Sequence, residues 1–171
     1  INQGRLIDTA SVDIQLENSP IVINVGDIMY DTFLMNLEIA EQKSNILEKF
    51  KLQPKKYYLA TIHRSENSDV VKKLINIIRT LSEVSKIKQV IFPVHPRTRK
   101  NIGALRLPTF HYKQLRLVEP VGYLDMLILE KTSDQKPNDS GGVQKEAYFL
   151  GVPCITLRNE TEWLETVESK W

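Results

Sequence analysis

Tyr57-Tyr58-Leu59-Ala60-Thr61-Ile62-His63-Arg64 and Gln89-Val90-Ile91-Phe92-Pro93-Val94-His95-Pro96-Arg97 decide how this chain is read. Each is a short, almost unbroken apolar run that ends on a histidine with an arginine close behind. Between them, Asp69 to Val84 places Val70, Leu74, Ile77, Ile78, Leu81 and Val84 at helical spacing, with Ser68 positioned as an N-cap. A strand with one wet face would alternate polar and apolar residues. Unbroken apolar strands joined by amphipathic helices instead imply a parallel sheet covered on both faces.

The same rhythm continues outward in both directions. Downstream the pattern predicts a short helix over Thr98–Leu105, a strand over Leu115–Val118 and a helix over Tyr123–Lys131. A helix over Val143–Leu150 closed by Gly151, a strand over Pro153–Leu157 and a last helix within Glu162–Glu168 follow. Upstream, Ile21–Val25 reads as a strand, Gly26-Asp27 as an opening turn, and Asp31–Phe50 as one helix, ended by Pro54. Residues 1–20 show no sustained period and finish on the turn signal Glu17-Asn18-Ser19-Pro20. The expected organisation is a linker or remnant of a preceding domain over 1–20, then one α/β Rossmann-like unit over 21–171.

Composition narrows the function. At 171 residues, 42% hydrophobic and 26% charged, the chain has the make-up of one soluble globular domain. A net charge of +2 leaves no electrostatic footprint for nucleic acid or an anionic membrane. No apolar run approaches the ~20 residues that cross a bilayer, and no signal peptide is evident, so a cytoplasmic protein is expected. The lone Cys154, inside the apolar run Val152–Leu157, excludes a disulfide framework and reads as a buried, inert thiol. His63, His95 and His111 are too widely spaced for a metal site, so neither metal nor other cofactor is expected.

Parallel sheets bind ligands at the carboxyl ends of their strands, and three segments fall there. Asp139-Ser140-Gly141-Gly142-Val143-Gln144-Lys145-Glu146-Ala147 opens a helix with two glycines, so backbone N–H groups can approach an anion with the helix dipole behind them. Ser140 adds a hydroxyl, and Glu146 lies one turn past Gly142 on the same face, placed to accept from two sugar hydroxyls. A serine-capped helix with a solvated Glu146 is the plain alternative. Thr61-Ile62-His63-Arg64-Ser65-Glu66-Asn67 offers a titratable ring and a fixed cation, with Glu66 near enough to orient either; an Arg64–Glu66 surface pair is the plain alternative. In Phe92-Pro93-Val94-His95-Pro96-Arg97, two prolines present His95 and Arg97 on a rigid loop, or merely end the strand.

Together with Asn24-Val25-Gly26-Asp27-Ile28-Met29-Tyr30-Asp31 and Leu157-Arg158-Asn159-Glu160-Thr161-Glu162-Trp163, these segments resemble, in order and spacing from about Ile21 to Trp171, the non-hydrolysing UDP-N-acetylglucosamine 2-epimerases. The resemblance implies the C-terminal half of a glycosyltransferase-B-like fold, with an active site in the cleft between two Rossmann-like domains. It implies interconversion of UDP-GlcNAc and UDP-ManNAc through elimination and re-addition of UDP, a step in cell-surface polysaccharide synthesis, and homodimeric assembly. It assigns Ser140, Gly141 and Gly142 to the diphosphate, Glu146 to the ribose, and His63, with Arg64 beside it, to the departing UDP. The segments matching His63, Arg64 and His95 also border, in bacterial members, a site for an activating second UDP-GlcNAc.

Two departures accompany the resemblance. The sugar-ring base and acid belong to the family's N-terminal domain, of which only Ile1–Asp13 carries a trace, so the reading is of a truncated chain, inactive alone or completed by a separate N-terminal half. The segment before Asp139, usually an apolar strand, is Asp134-Gln135-Lys136-Pro137-Asn138 here, and proline cannot donate to a central ladder. A short or distorted strand is expected. The alternatives to an epimerase are a UDP-sugar-binding or regulatory module, another enzyme of the same fold, or a folded remnant.

Overall fold

The computed structural model describes residues 26–105, 114–161 and 163–168. The expected strand at Ile21–Val25 and the loop histidine His111 lie outside them. The elements run α1 (Ile28–Lys43), α2 (Ile46–Phe50), β1 (Tyr57–Leu59), α3 (Ser65–Ser68), α4 (Val71–Ser85), β2 (Gln89–Pro93), α5 (Pro96–Ala104), β3 (Leu115–Val118), α6 (Tyr123–Thr132), β4 (Lys136–Asn138), α7 (Gly141–Leu150), β5 (Cys154–Thr156) and α8 (Leu164–Glu168).

All strand pairings are parallel. β1, β2 and β3 form one ladder set and β4 pairs with β5. Two parallel bridges, Tyr58 to Gln135 and Thr61 to Asn138, join β1 to β4, so the spatial order is β3-β2-β1-β4-β5. The seam is incomplete for a reason visible in the chain. Leu59 and Thr61 donate to the Gln135 and Pro137 carbonyls at 3.0 and 3.1 Å, but the N–H this register needs between those bonds belongs to Pro137, which has none. β4 is three residues long, as the proline implied.

Alternate side chains divide into two cores. Tyr57, Leu59 and Ile91 pack with Phe33, Ala40, Ile46 and Leu127 beneath α1, α2 and α6. Ala60, Val90, Phe92 and Val94 pack with Leu74, Ile78 and Leu81 of α4 on the other side. Both faces of the sheet are therefore dry, which is why its strands read as unbroken apolar runs. Among the described residues no helix is long and apolar enough to cross a membrane.

Two local expectations are corrected and a third holds. Asp31–Phe50 is not one helix: α1 starts earlier, at Ile28 under an Asp27 cap, and ends at Ser44, whose hydroxyl donates to Asp125 at 2.6 Å. Ser44 takes extended dihedrals, and the chain restarts as α2. Ser68 does not cap α4. It closes the separate turn α3 and is buried, while Val70 precedes α4 without a side-chain cap. Gly151 does terminate α7, in the left-handed conformation at φ 61°.

Candidate active site at the sheet switch point

In the order β3-β2-β1-β4-β5 the connections leave in opposite directions from β1 and β4. This is a topological switch point, and in open parallel sheets the crevice that takes a ligand lies there, outside the carboxyl ends of the strands. The loop after β1 carries His63 and Arg64; the loop after β4 carries Asp139 and Ser140.

Asp139 ties these loops together. Its side chain is fully buried and accepts from the His63 N–H at 3.0 Å, the Arg64 N–H at 3.1 Å and the Asn67 amide at 3.1 Å. The His63 ring Nδ1 stands 3.6 Å from Asp139 Oδ1, and the His63 side chain is 47% exposed, so the ring is open to an approaching ligand. Asn67 also donates to the Leu157 carbonyl at 2.9 Å, which draws the end of β5 into the assembly. Sequence reasoning included Asp139 in the glycine motif but gave it no role. An aspartate directly after a strand and before a serine-glycine pair is the signal available in the chain.

Ser140 caps α7, its Oγ accepting from the Val143 N–H at 3.5 Å, while its own N–H donates to the Asn138 side chain at 2.8 Å. Gly142 is exposed. A Cβ built there would meet only Ser140 Oγ, at 3.8 Å. Packing within the chain therefore does not require this glycine. The open space above it, at a helix N-terminus with unpaired N–H groups, has the form of an anion site.

Glu146 is neither a plain solvated charge nor isolated. Tyr123 donates to its Oε1 at 2.8 Å, and burial raises its pKa above the usual carboxylate value, against the opposing pull of Tyr123, Lys136 and Glu130. Burial, and next the Glu146 carboxylate, hold the Tyr123 hydroxyl far above its ordinary value, so it remains a donor. Glu146 and Tyr123 edge a hollow lined also by Ile28, Met29, Phe33 and Phe149. Lys145 lines the same hollow, paired with Asp27 and 3.9 Å from the Trp163 ring centroid, and its bond to Asp27 holds that carboxyl below the usual range.

The remaining expected residues are placed less centrally. His95 caps α5, its Nδ1 accepting from the Arg97 N–H at 3.3 Å, in the loop after β2 rather than in the Asp139 cluster. Arg97 pairs with Asp69, the residue that follows α3. Glu66 does not orient His63 or Arg64: its Oε1 lies 3.7 Å from Arg158 Nε, across the crevice on the β5 side. Burial pushes the Cys154 thiol up, and Asn138 contacts its Sγ at 2.7 Å, which suits an unreactive residue, although it is partly rather than fully buried. Among the described residues no cluster of His, Cys, Asp or Glu could hold a metal ion.

A family model described as UDP-N-acetylglucosamine 2-epimerase matches residues 12–171. A UDP-N-acetylglucosamine 2-epimerase homolog of Methanococcus maripaludis is 50% identical over 169 residues, covering 95% of this chain and 47% of that protein. A UDP-2,3-diacetamido-2,3-dideoxy-D-glucuronate 2-epimerase of Pseudomonas aeruginosa is 40% identical over 147 residues, covering 85% of this chain and 39% of that protein. The crystal structure of the Methanocaldococcus jannaschii UDP-GlcNAc 2-epimerase with UDP-GlcNAc and UDP superposes with a TM-score of 0.75 at 45% identity, covering 84% of this chain and 41% of that one. The chain thus spans less than half the length of these relatives. Over the portion it does span the fold agrees, and the chain belongs to the UDP-N-acetylglucosamine 2-epimerase family.

Proposed function

We propose that residues 21–171 form the nucleotide-binding half of a cytoplasmic UDP-N-acetylglucosamine 2-epimerase, which holds UDP in the crevice between the loops after β1 and β4. The single observation that carries this is the unoccupied space over Gly142, at the N-terminus of α7 and beside the His63 loop that Asp139 holds in place. In this reading the diphosphate lies on the N–H groups of Gly141 and Gly142 with the Ser140 hydroxyl, and Glu146 accepts from the ribose hydroxyls. His63 stabilises the departing UDP, Arg64 adds positive charge, and His95 borders the outer end of the crevice. Preorganised donors at a leaving group lower the barrier because they meet charge as it develops, without reorganising.

The sugar is the less determined part of the substrate. Relatives named for UDP-GlcNAc and for a diacetamido-glucuronate are both strongly similar over this portion, as expected if it reads mainly the shared UDP.

Calorimetric titration with UDP tests the reading. Gly142→Val fills the space the diphosphate needs and should abolish measurable binding; retention of the unaltered affinity would place the site elsewhere. Glu146→Ala should weaken UDP strongly and inorganic phosphate hardly at all, and equal losses would reject its assignment to ribose.

A second reading, a UDP-sugar-binding module without turnover, is favoured by one observation. The carboxylates at the crevice are already engaged: Asp139 with backbone N–H groups, Glu66 with Arg158, and Glu146 with Tyr123. In this reading none of them takes a proton from sugar C2, a role that supplies about 10²–10⁴-fold. The 171-residue chain incubated with UDP-GlcNAc in deuterated water should therefore incorporate no deuterium at C2. Incorporation above a Gly142→Val control would show that it holds its own base. In the epimerase reading that base comes from the other half of the relatives' length, in the same polypeptide or a separate one.

A further inference from the structure

Beneath Glu146, between α6, β4 and α7, lies a cluster of ionisable groups that the proposed chemistry does not use. Lys136 of β4 and Glu130 of α6 are both fully buried, with Lys136 Nζ 3.1 Å from Glu130 Oε2. The other oxygen, Glu130 Oε1, is buried and has no hydrogen-bond partner among the described residues while both carboxyls are ionised. Glu146 interacts with the Glu130 carboxyl, both through its charge and through a side-chain hydrogen bond. Two carboxylates cannot bond each other, but a carboxylic acid and a carboxylate can.

We propose that Glu130 and Glu146 share one proton, that Lys136 holds Glu130 in place for this, and that the pair positions Glu146 to accept sugar hydroxyls of a bound nucleotide. The positioning role rests on the assignment of Glu146 to ribose given above; the shared proton does not.

Charge counting supports it. One buried ammonium balances one carboxylate, so a second ionised carboxyl would leave an uncompensated negative charge in a dry site, at a cost of several kcal/mol. Holding one proton between the two carboxyls makes the trio neutral. Burial pushes Glu130 up to about 8, with Lys136 opposing the rise and Glu146 adding to it. Burial lowers Lys136, and Glu130 and then Glu146 counter that. The proton therefore resides on Glu130, the more buried acid, and Glu146 is the acceptor. Tyr123 donates to Glu146 from the other flank. The remaining groups that feel the Glu130 charge are Tyr57 of β1, raised to about 12 chiefly by burial, Tyr123 of α6, and Cys154 of β5, whose thiol burial also raises. All three are neutral below pH ~8 given these raised values, so none supplies a competing charge. Held as an anion from both sides, Glu146 presents its free lone pairs to the hollow beside it. Once Glu130 ionises, Glu146 loses a donor and gains a repelling neighbour.

The test begins on the unaltered chain without nucleotide. Carbon-13 NMR of the glutamate carboxyls should show Glu130 titrating with a midpoint near 8, and Glu146 responding with a smaller step at the same midpoint. Glu130→Gln, which keeps an N–H donor toward Glu146 but no titration, should remove that step. A Glu130 midpoint in the ordinary carboxylate range, or a Glu146 signal indifferent to Glu130, overturns the shared proton. UDP titrations then test the positioning role. If only the protonated pair binds well, affinity falls about tenfold one pH unit above the midpoint. Glu130→Gln should bind as tightly as the unaltered chain below the midpoint and lose less than about twofold above it. Matching pH profiles for the two proteins overturn the positioning role. Absence of UDP binding at every pH overturns both the nucleotide reading and the positioning role, while the carboxyl titration decides the proton by itself.

Discussion

The two sides of the sheet's switch point are built from different materials. On the β1-β2-β3 side the ladder is unbroken, and the core beneath α4 is Ala60, Leu74, Ile78, Leu81, Val90, Phe92 and Val94. Its ion pairs, such as Lys86 with Glu83, sit at the surface and contribute little. On the β4-β5 side, Pro137 interrupts the seam, and the buried side chains include Glu130, Ser133, Lys136, Asn138, Asp139 and Gln144. Hydrophobic packing tolerates many sequences, whereas buried polar groups are stable only when each finds its partner. The half that carries the candidate site has therefore given up robustness for fixed positions. Asp139 is the clearest case, because one carboxylate orders the His63 loop, the Arg64 backbone and Asn67 together.

Three experiments press on this contrast. The largest effect is expected from Asp139→Ala, which leaves the His63 and Arg64 N–H groups and the Asn67 amide without their acceptor. Each abandoned donor costs about 1–3 kcal/mol, so denaturant unfolding should show a loss of roughly 3 kcal/mol or more, together with loss of UDP binding. Asp139→Asn, which keeps one acceptor oxygen, should fall between the two. A loss below about 1 kcal/mol for alanine would mean that the loops are held by something other than this carboxylate.

An intermediate effect is expected from pH. Glu130 is raised from 4.5 to about 8 on folding, so across that window the folded chain binds more protons than the unfolded one. Its contribution to stability is therefore complete below about 4.5 and is lost as pH rises toward 8. Unfolding free energy should decline through that window by on the order of 4 kcal/mol more in the unaltered chain than in Glu130→Gln. Parallel curves for the two would show that the buried pair does not titrate with folding.

The smallest effect is expected from Pro137→Val, which restores the missing N–H between β1 and β4 and supplies a residue suited to strands. A gain of about 1 kcal/mol in unfolding free energy is expected, with UDP affinity unchanged within about twofold. A loss would show that the proline's rigid φ matters more to aiming the glycine loop than the absent hydrogen bond.

How far the chain could be read follows the same division. The strands at Tyr57, Gln89 and Leu115 and the helix after Ser68 were legible because their apolar residues keep a regular period. The break at Ser44 was not, because Leu34, Leu37, Ile46 and Leu47 stay near helical spacing across it. At the break the Ser44 hydroxyl bonds Asp125, 81 residues away. Glu66 lay beside His63 in sequence and was the obvious partner for it, yet it pairs with Arg158 instead.

The sequence by itself determined the α/β alternation, the family, and the three strand-end loops proposed to bind nucleotide, because strand and helix periods, glycine turns and a serine before a helix are all encoded within a few residues. Only the tertiary structure decided which loops meet and which charges are buried. The order β3-β2-β1-β4-β5 sets Asp139 against the backbone of His63, 76 residues away, and sets Lys136 against Glu130 in a dry interior. The physical reason is that a side chain's protonation and orientation depend on neighbours brought by the path of the sheet, and no local pattern in the chain records which neighbours those will be.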